Sequence, residues 1–190
     1  MWRHFAPSRP RTLADAAKAS WLHSYSLTAV GDGVSCSAHT DTGHTVRSDL
    51  PRLAGGHDSA AQPVELLLSA LVGCKTATAH FVARHLWRRP GNQISSLRFA
   101  EVRAERDERG ALALPITAPP PVSSAVQRVS GVVFVRPASA EVDGDDVRVL
   151  GLLVEERCPV AATLRAAGVA LDFEWRMEQQ PRVTVAEAET

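Results

Sequence analysis

The sequence predicts an α+β fold, and three observations carry that prediction. Apolar residues alternate with a period of two near the start and again near the end, from Trp21 to Val30 and from Val169 to Arg176. Between these stretches Pro63 opens one apolar segment far too long for a strand. Clusters of Gly, Pro and Asp punctuate the rest into the order strand–strand–strand, helix, strand–strand, helix, strand.

Each element has a local reason. Residues 1–10 are rich in Pro and Arg and read as a loose arm, and Thr12 is placed to cap a short helix through Asp15 to Ala19. In the first strand Trp21, His23, Tyr25, Leu27 and Ala29 alternate with Leu22, Ser24, Ser26, Thr28 and Val30. Gly31-Asp32-Gly33 turns the chain, because Gly and Asp tolerate positive φ. Val34, Cys36 and Ala38 line one face of a second strand, and Asp41-Thr42-Gly43 leads into a third, His44 to Asp49. Together they form an antiparallel meander. Leu50 to Ala61 is loop, broken by Pro51 and Gly55-Gly56. The helix from Pro63 runs to Arg88 or Arg89, where Pro90-Gly91-Asn92 stops it. Its apolar positions occupy more than one stripe, so protein is expected on most sides. Leu67, Ala70, Leu71, Cys74, Ala77, Thr78 and Phe81 share one face.

Ile94 to Asp107 reads as a strand and Asp107-Glu108-Arg109-Gly110 as its turn. Pro115, Pro119, Pro120 and Pro121 keep residues 111–126 out of a central sheet and mark an extended excursion. Val126 to Pro137 is a strand built on Val132-Val133-Phe134-Val135. Asp145 or Asp146 is expected to cap a helix from Val147 towards Arg157, and a short helix follows Pro159 and ends at Gly168. The last strand carries Val169, Leu171, Phe173 and Trp175 on one face, and a polar tail begins at Gln179. The chain thus divides into an arm at 1–19, one domain at 20–178 and a tail at 179–190.

Composition narrows the function. With 45% hydrophobic and 22% charged residues in 190, the chain has the profile of an ordinary globular domain with a sizeable core. The 21 basic and 21 acidic residues cancel, so no electrostatic footprint for nucleic acid is present. Three cysteines are too few for a secreted disulfide framework. No apolar run reaches the ~18 residues that span a bilayer, and Met1 to Pro7 lacks the apolar stretch of a signal peptide. A cytoplasmic protein with neither membrane nor nucleic-acid partners is expected. The seven His are scattered without zinc-site spacing. Asp143-Gly144-Asp145-Asp146 lacks the ligand pattern of a calcium loop, and no Lys-Ser/Thr follows Gly55-Gly56 as a phosphate loop requires. No metal or cofactor is expected.

Two cysteines carry the chemistry. Cys74 lies inside the long apolar helix, and Cys158 stands just before Pro159 at a helix start. A thiolate that is oxidised and then captured by a second thiol fits this pair. Two buried apolar cysteines that never meet fit it as well. Cys36, flanked by apolar alternation on the second strand, reads as a core cysteine.

Three stretches resemble the superfamily of osmotically inducible protein C and organic hydroperoxide resistance proteins (OsmC/Ohr). They are Ser48-Asp49-Leu50-Pro51 with Gly55-Gly56-His57-Asp58, the helix from Gln62-Pro63-Val64-Glu65 to Gly73-Cys74, and Glu156-Arg157-Cys158-Pro159-Val160. The resemblance covers residues 20–178 in outline and is closer to the OsmC-like members. It implies antiparallel sheets around a long central helix in an intertwined homodimer with active sites at the subunit interface. It further implies a thiol peroxidase in which Cys74 attacks an organic hydroperoxide, Cys158 resolves the sulfenic acid, and a dithiol reductant reopens the disulfide.

The chain departs from the hydroperoxide-resistance branch at two places. That branch has an Arg in the first hairpin and a Glu directly after the helix-starting Pro, where this chain has Gly31-Asp32-Gly33 and Val64. Glu65 comes one residue later, a rotation of ~100°. Glu65, Arg47 and Arg52 are the candidate supporting groups, with His44 and His57 as further cations; each also reads as an ordinary surface residue. Lys75 is expected to be solvated or at a dimer surface, since adjacent helical residues diverge. His80 and His85 read as packed structural residues. The alternative to the peroxidase is a non-catalytic dimer of the same fold that binds an apolar ligand beside passive thiols.

Overall fold

The computed structural model describes residues 22–88 and 93–178. The arm, its short helix, Trp21, the Pro90-Gly91-Asn92 stop and the tail from Gln179 lie outside the described residues. Contacts divide the chain into two compact units, Met1–Pro63 and Val64–Thr190.

The first unit holds strands β1 (Leu27–Asp32), β2 (Ser35–Thr40) and β3 (Thr45–Ser48) in the order β1-β2-β3. Both pairings are antiparallel, which is the expected meander. β1 starts later than the alternation suggests because β2 ends at Thr40, opposite Leu27, and the pairing closes one residue earlier with Ser26, whose carbonyl accepts from the Asp41 amide at 3.1 Å. Asp32 pairs with Ser35, so the hairpin turns on Gly33-Val34 rather than Gly31-Asp32-Gly33, and Gly33 takes the positive φ of 58° that such turns demand. After β3 the chain makes a single 3-10 turn, Arg52–Ala54.

That connection is organised by Asp49, which is buried although it is charged. Its Oδ1 accepts from Ser35 Oγ at 2.9 Å and Leu50 N at 2.8 Å. Its Oδ2 accepts from His57 N at 3.1 Å, Ser59 N at 3.0 Å and Ser59 Oγ at 2.7 Å. The Ser59 hydroxyl and amide, then those of Leu50 and Ser35, hold the carboxyl well below its ordinary range against the effect of burial. Gly56 is required here, since a Cβ would overlap the Leu50 carbonyl.

The second unit opens with α1 (Pro63–Leu86), followed by β4 (Ile94–Arg106), a short helical turn α2 (Arg109–Leu112), β5 (Val126–Pro137), α3 (Gly144–Arg157), α4 (Pro159–Ala166) and β6 (Ala170–Met177). The expected turn at Asp107 to Gly110 is thus the start of α2, with Asp107 Oδ1 accepting from the Arg109 amide at 3.0 Å. The sheet order is β4-β5-β6. β4 pairs with β5 antiparallel, but β6 joins β5 in parallel, because the α3–α4 connection returns the chain to the edge it left. The N-cap of α3 is Asp143 rather than Asp145 or Asp146. Its side chain accepts from both of their amides while Asp146 returns the bond to the Asp143 amide, forming a capping box.

α1 buries Leu71, Lys75, Ala79, Val82 and Ala83. Ala79, Val82 and Ala83 pack with Val133 and Val135 of β5 and Val147, Leu150 and Val154 of α3. Of the strip expected to share one face, Leu71 is buried and Cys74 half-buried, while Ala70, Ala77 and Phe81 are exposed in the single chain. The buried stripe is rotated because β5 and α3, not the apolar count, choose the face. By length and composition α1 would also cross a bilayer, with a mean hydropathy of 1.5 in its most apolar window. Glu65 and Lys75 interrupt it, so no unbroken apolar run of that length exists even though the average is high. Its buried face packs on protein, as a core helix does.

Candidate active site

Cys74 is presented from the middle of α1, where the helix meets α4 and the second sheet. Cys158 sits at the junction of α3 and α4 and serves as the C-cap of one and the N-cap of the other. Pro159 fixes that junction: it has no amide to continue α3, and it fits the first position of α4. The Cys158 amide still donates to Val154 O at 2.9 Å, and its carbonyl accepts from Ala162 N at 2.9 Å, so the sulfur's backbone is held from both helices.

These two elements bring the sulfurs together. Cys158 is fully buried in a cluster with Leu71, Val129, Ala161, Leu164 and Val169, and Cys74 packs against the same cluster while remaining half-buried. The Cys74 sulfur thus acts on the Cys158 thiol from within one cluster. Both are free, as is the half-buried Cys36 on β2, where a core cysteine had been expected. Burial pushes the Cys158 thiol up, and the neighbouring Cys74 sulfur adds to the rise; the Ala161 amide in the first turn of α4 and the charge of Lys75 oppose it. The more accessible of the two sulfurs is that of Cys74.

Lys75 corrects the sequence reading. It is neither solvated nor remote but fully buried, and its Nζ pairs with Glu155 Oε1 of α3. Nζ also stands 4.2 Å from the centroid of the Phe173 ring on β6, a cation–π contact. Burial lowers the pKa of this ammonium, and the hydrogen bond and charge of Glu155 raise it again. Glu155 in turn accepts from Arg165 Nη2 of α4 at 2.7 Å and from Trp175 Nε1 of β6 at 3.3 Å. Trp175 reaches it by lying on Gly151, where any Cβ would overlap the indole.

The other candidates fall elsewhere. Glu65 is exposed in the first turn of α1, where a carboxylate complements the helix dipole, about 2.5 turns before Cys74. Arg47 is exposed on β3 opposite Ser37 and lines a shallow cleft of the first unit with Cys36. Arg52 opens the 3-10 turn and is exposed, as are His44 and His57. His85 is exposed and lies tilted against Phe81, with ring centroids 4.7 Å apart, rather than packing in a core. Among the described residues no group of three or more His, Cys, Asp or Glu is arranged to hold a metal. Sequence reasoning missed Glu155, Arg165 and Asp49. The only signal for the first was a charged residue in an otherwise apolar helical stripe.

A long helix that carries one thiol, closed by a Cys-Pro helix start that carries another, defines an α+β dithiol protein. The sequence family described as OsmC-like protein matches residues 56–174, and this chain belongs to it. Among curated proteins none matches significantly. Solved structures agree on the fold. An OsmC-like protein from Mycoplasma pneumoniae superposes with a TM-score of 0.63 at 20% identity, covering 83% of this chain and 99% of that one. An organic hydroperoxide resistance protein OsmC from Legionella pneumophila gives 0.57 at 15% identity, covering 83% and 98%. The organic hydroperoxide resistance protein OhrB of Bacillus subtilis gives 0.53 at 16% identity, covering 82% and 98%.

Proposed function

We propose that this protein is a cysteine-based peroxidase that reduces organic hydroperoxides. The observation that carries the reading is the packing of a half-buried Cys74 against the apolar cluster that holds a fully buried Cys158. The Cys74 thiolate attacks the O–O bond, releases the alcohol and becomes a sulfenic acid. Cys158, held beside it and out of solvent, displaces the hydroxyl and closes the disulfide. A dithiol reductant then reopens it. The hydroperoxide-resistance names of structural neighbours and the surrounding Leu67, Leu68 and Leu71 support a greasy substrate. Three free thiols suit a reducing, cytoplasmic setting.

We also propose a homodimer. Ala70, Ala77 and Phe81 leave an apolar strip of α1 exposed, and a cavity of about 340 Å³ beside it is lined by Phe81, Val82, His85, Leu86, Leu153 and Arg157. A second copy is the partner that the family resemblance implies.

The test is turnover. With a dithiol reductant the protein is expected to consume cumene hydroperoxide faster than hydrogen peroxide. Cys74→Ser should abolish this, and Cys158→Ser should permit a single oxidation per chain. Equal, slow consumption by wild type and Cys74→Ser would instead support a non-catalytic dimer that binds an apolar ligand.

A further inference from the structure

Lys75 has no part in the chemistry above, yet its environment is too specific for a bystander. Lysine is almost never fully buried unless paired, because removing an ammonium from water costs several kcal/mol. Here the pairing residues come from the segments that carry the sulfurs. Lys75 directly follows Cys74 on α1, Glu155 lies on the last turn of α3 before Cys158, and Arg165 is on α4, the helix that Cys158 caps. Phe173, beneath the ammonium, packs against the cluster that holds both thiols.

Resting on the peroxidase reading, we propose that Lys75 is a positioning residue for the second half of the reaction: its ammonium, fixed by Glu155, supports the negative charge on Cys158 as that sulfur attacks the Cys74 sulfenic acid. In this step the S–S bond forms and the S–O bond breaks. The Cys158 sulfur is oxidised and the Cys74 sulfur reduced, and the thiol proton leaves with the displaced hydroxide as water. The need for a cation is physical. Cys158 is buried, burial and the neighbouring sulfur both disfavour its ionisation, and among the described residues Lys75 is the cation whose charge favours it. Among the described residues, the titratable groups that act on this sulfur are Cys74 and Lys75 of α1, and Lys75 is itself faced by Glu155 of α3 and Arg165 of α4. What β4, β5 and β6 add to the cluster is apolar, through Val102, Val129, Leu171 and Phe173.

The experiment separates the two halves in the full chain. After rapid mixing with one equivalent of cumene hydroperoxide, dimedone traps the Cys74 sulfenic acid, and mass spectrometry scores the Cys74–Cys158 linked peptide. Lys75→Met is compared with Lys75→Met/Glu155→Gln, which removes the carboxylate that Lys75→Met alone would deprive of its ammonium and keeps a hydrogen-bond acceptor for the part-exposed Arg165 and for Trp175. Formation of sulfenic acid, measured in a Cys158→Ser background, should stay near the parent rate. Disulfide closure should slow about tenfold, as for loss of one pKa unit of thiolate population, and its pH profile should move upward. Closure at the parent rate, or an equal slowing of both halves, overturns the role for Lys75 and leaves the peroxidase standing. If wild type forms no Cys74 sulfenic acid at all, the peroxidase reading fails and this step fails with it.

Discussion

Glu155 accepts from Lys75, Arg165 and Trp175 at once, and each donor comes from a different element. Removing its carboxylate strands a buried ammonium, so Glu155→Ala should destabilise the protein by about 3 kcal/mol, the low end for a broken buried pair because Glu155 is partly exposed. Urea unfolding checks this, and a loss indistinguishable from zero would mean that Lys75 finds water instead. Gly151→Ala should act on the same network from behind, costing about 1–3 kcal/mol by displacing Trp175. None of this was legible in the sequence. Lys75 and Glu155 are 80 residues apart, and helical adjacency to Cys74 argued that Lys75 points away. The place of Cys158 at a helix start was legible because Pro159 marks its local geometry in one dimension, whereas an ion pair across the fold leaves no local mark.

At the scale of elements, the meander, α1 and the strand from Val126 to Pro137 were legible, since turn residues and periodicity are local signals. Pairing direction was not. The alternation in β6 says which face is buried, and only the route of α3 and α4 makes its pairing with β5 parallel. The start of β1 was misplaced for a similar reason: the pattern extends past the point where β2 offers a partner. The connection after β3 depends on an ionised Asp49. Its folded pKa lies below the unfolded value, so its stabilisation is present above the unfolded value and is lost as pH falls towards the folded one. The melting temperature of wild type should therefore exceed that of Asp49→Asn at neutral pH, and the gap should narrow below about pH 4. Parallel curves would show that the charge is irrelevant to the loop.

For the whole molecule, the proposed dimer would cover the exposed apolar strip on α1 and the cavity beside it. A two-fold interface burying roughly 2,000 Å² or more is expected. Sedimentation should give a dimer at micromolar concentration, and a stable monomer there would contradict it. The most direct test of the central claim is made on the full chain. It is treated with one equivalent of cumene hydroperoxide, blocked with iodoacetamide and digested without reductant. A Cys74–Cys158 linked peptide, with Cys36 alkylated, is the predicted result. Recovery of both Cys74 and Cys158 as alkylated thiols, with the hydroperoxide unspent, would contradict it.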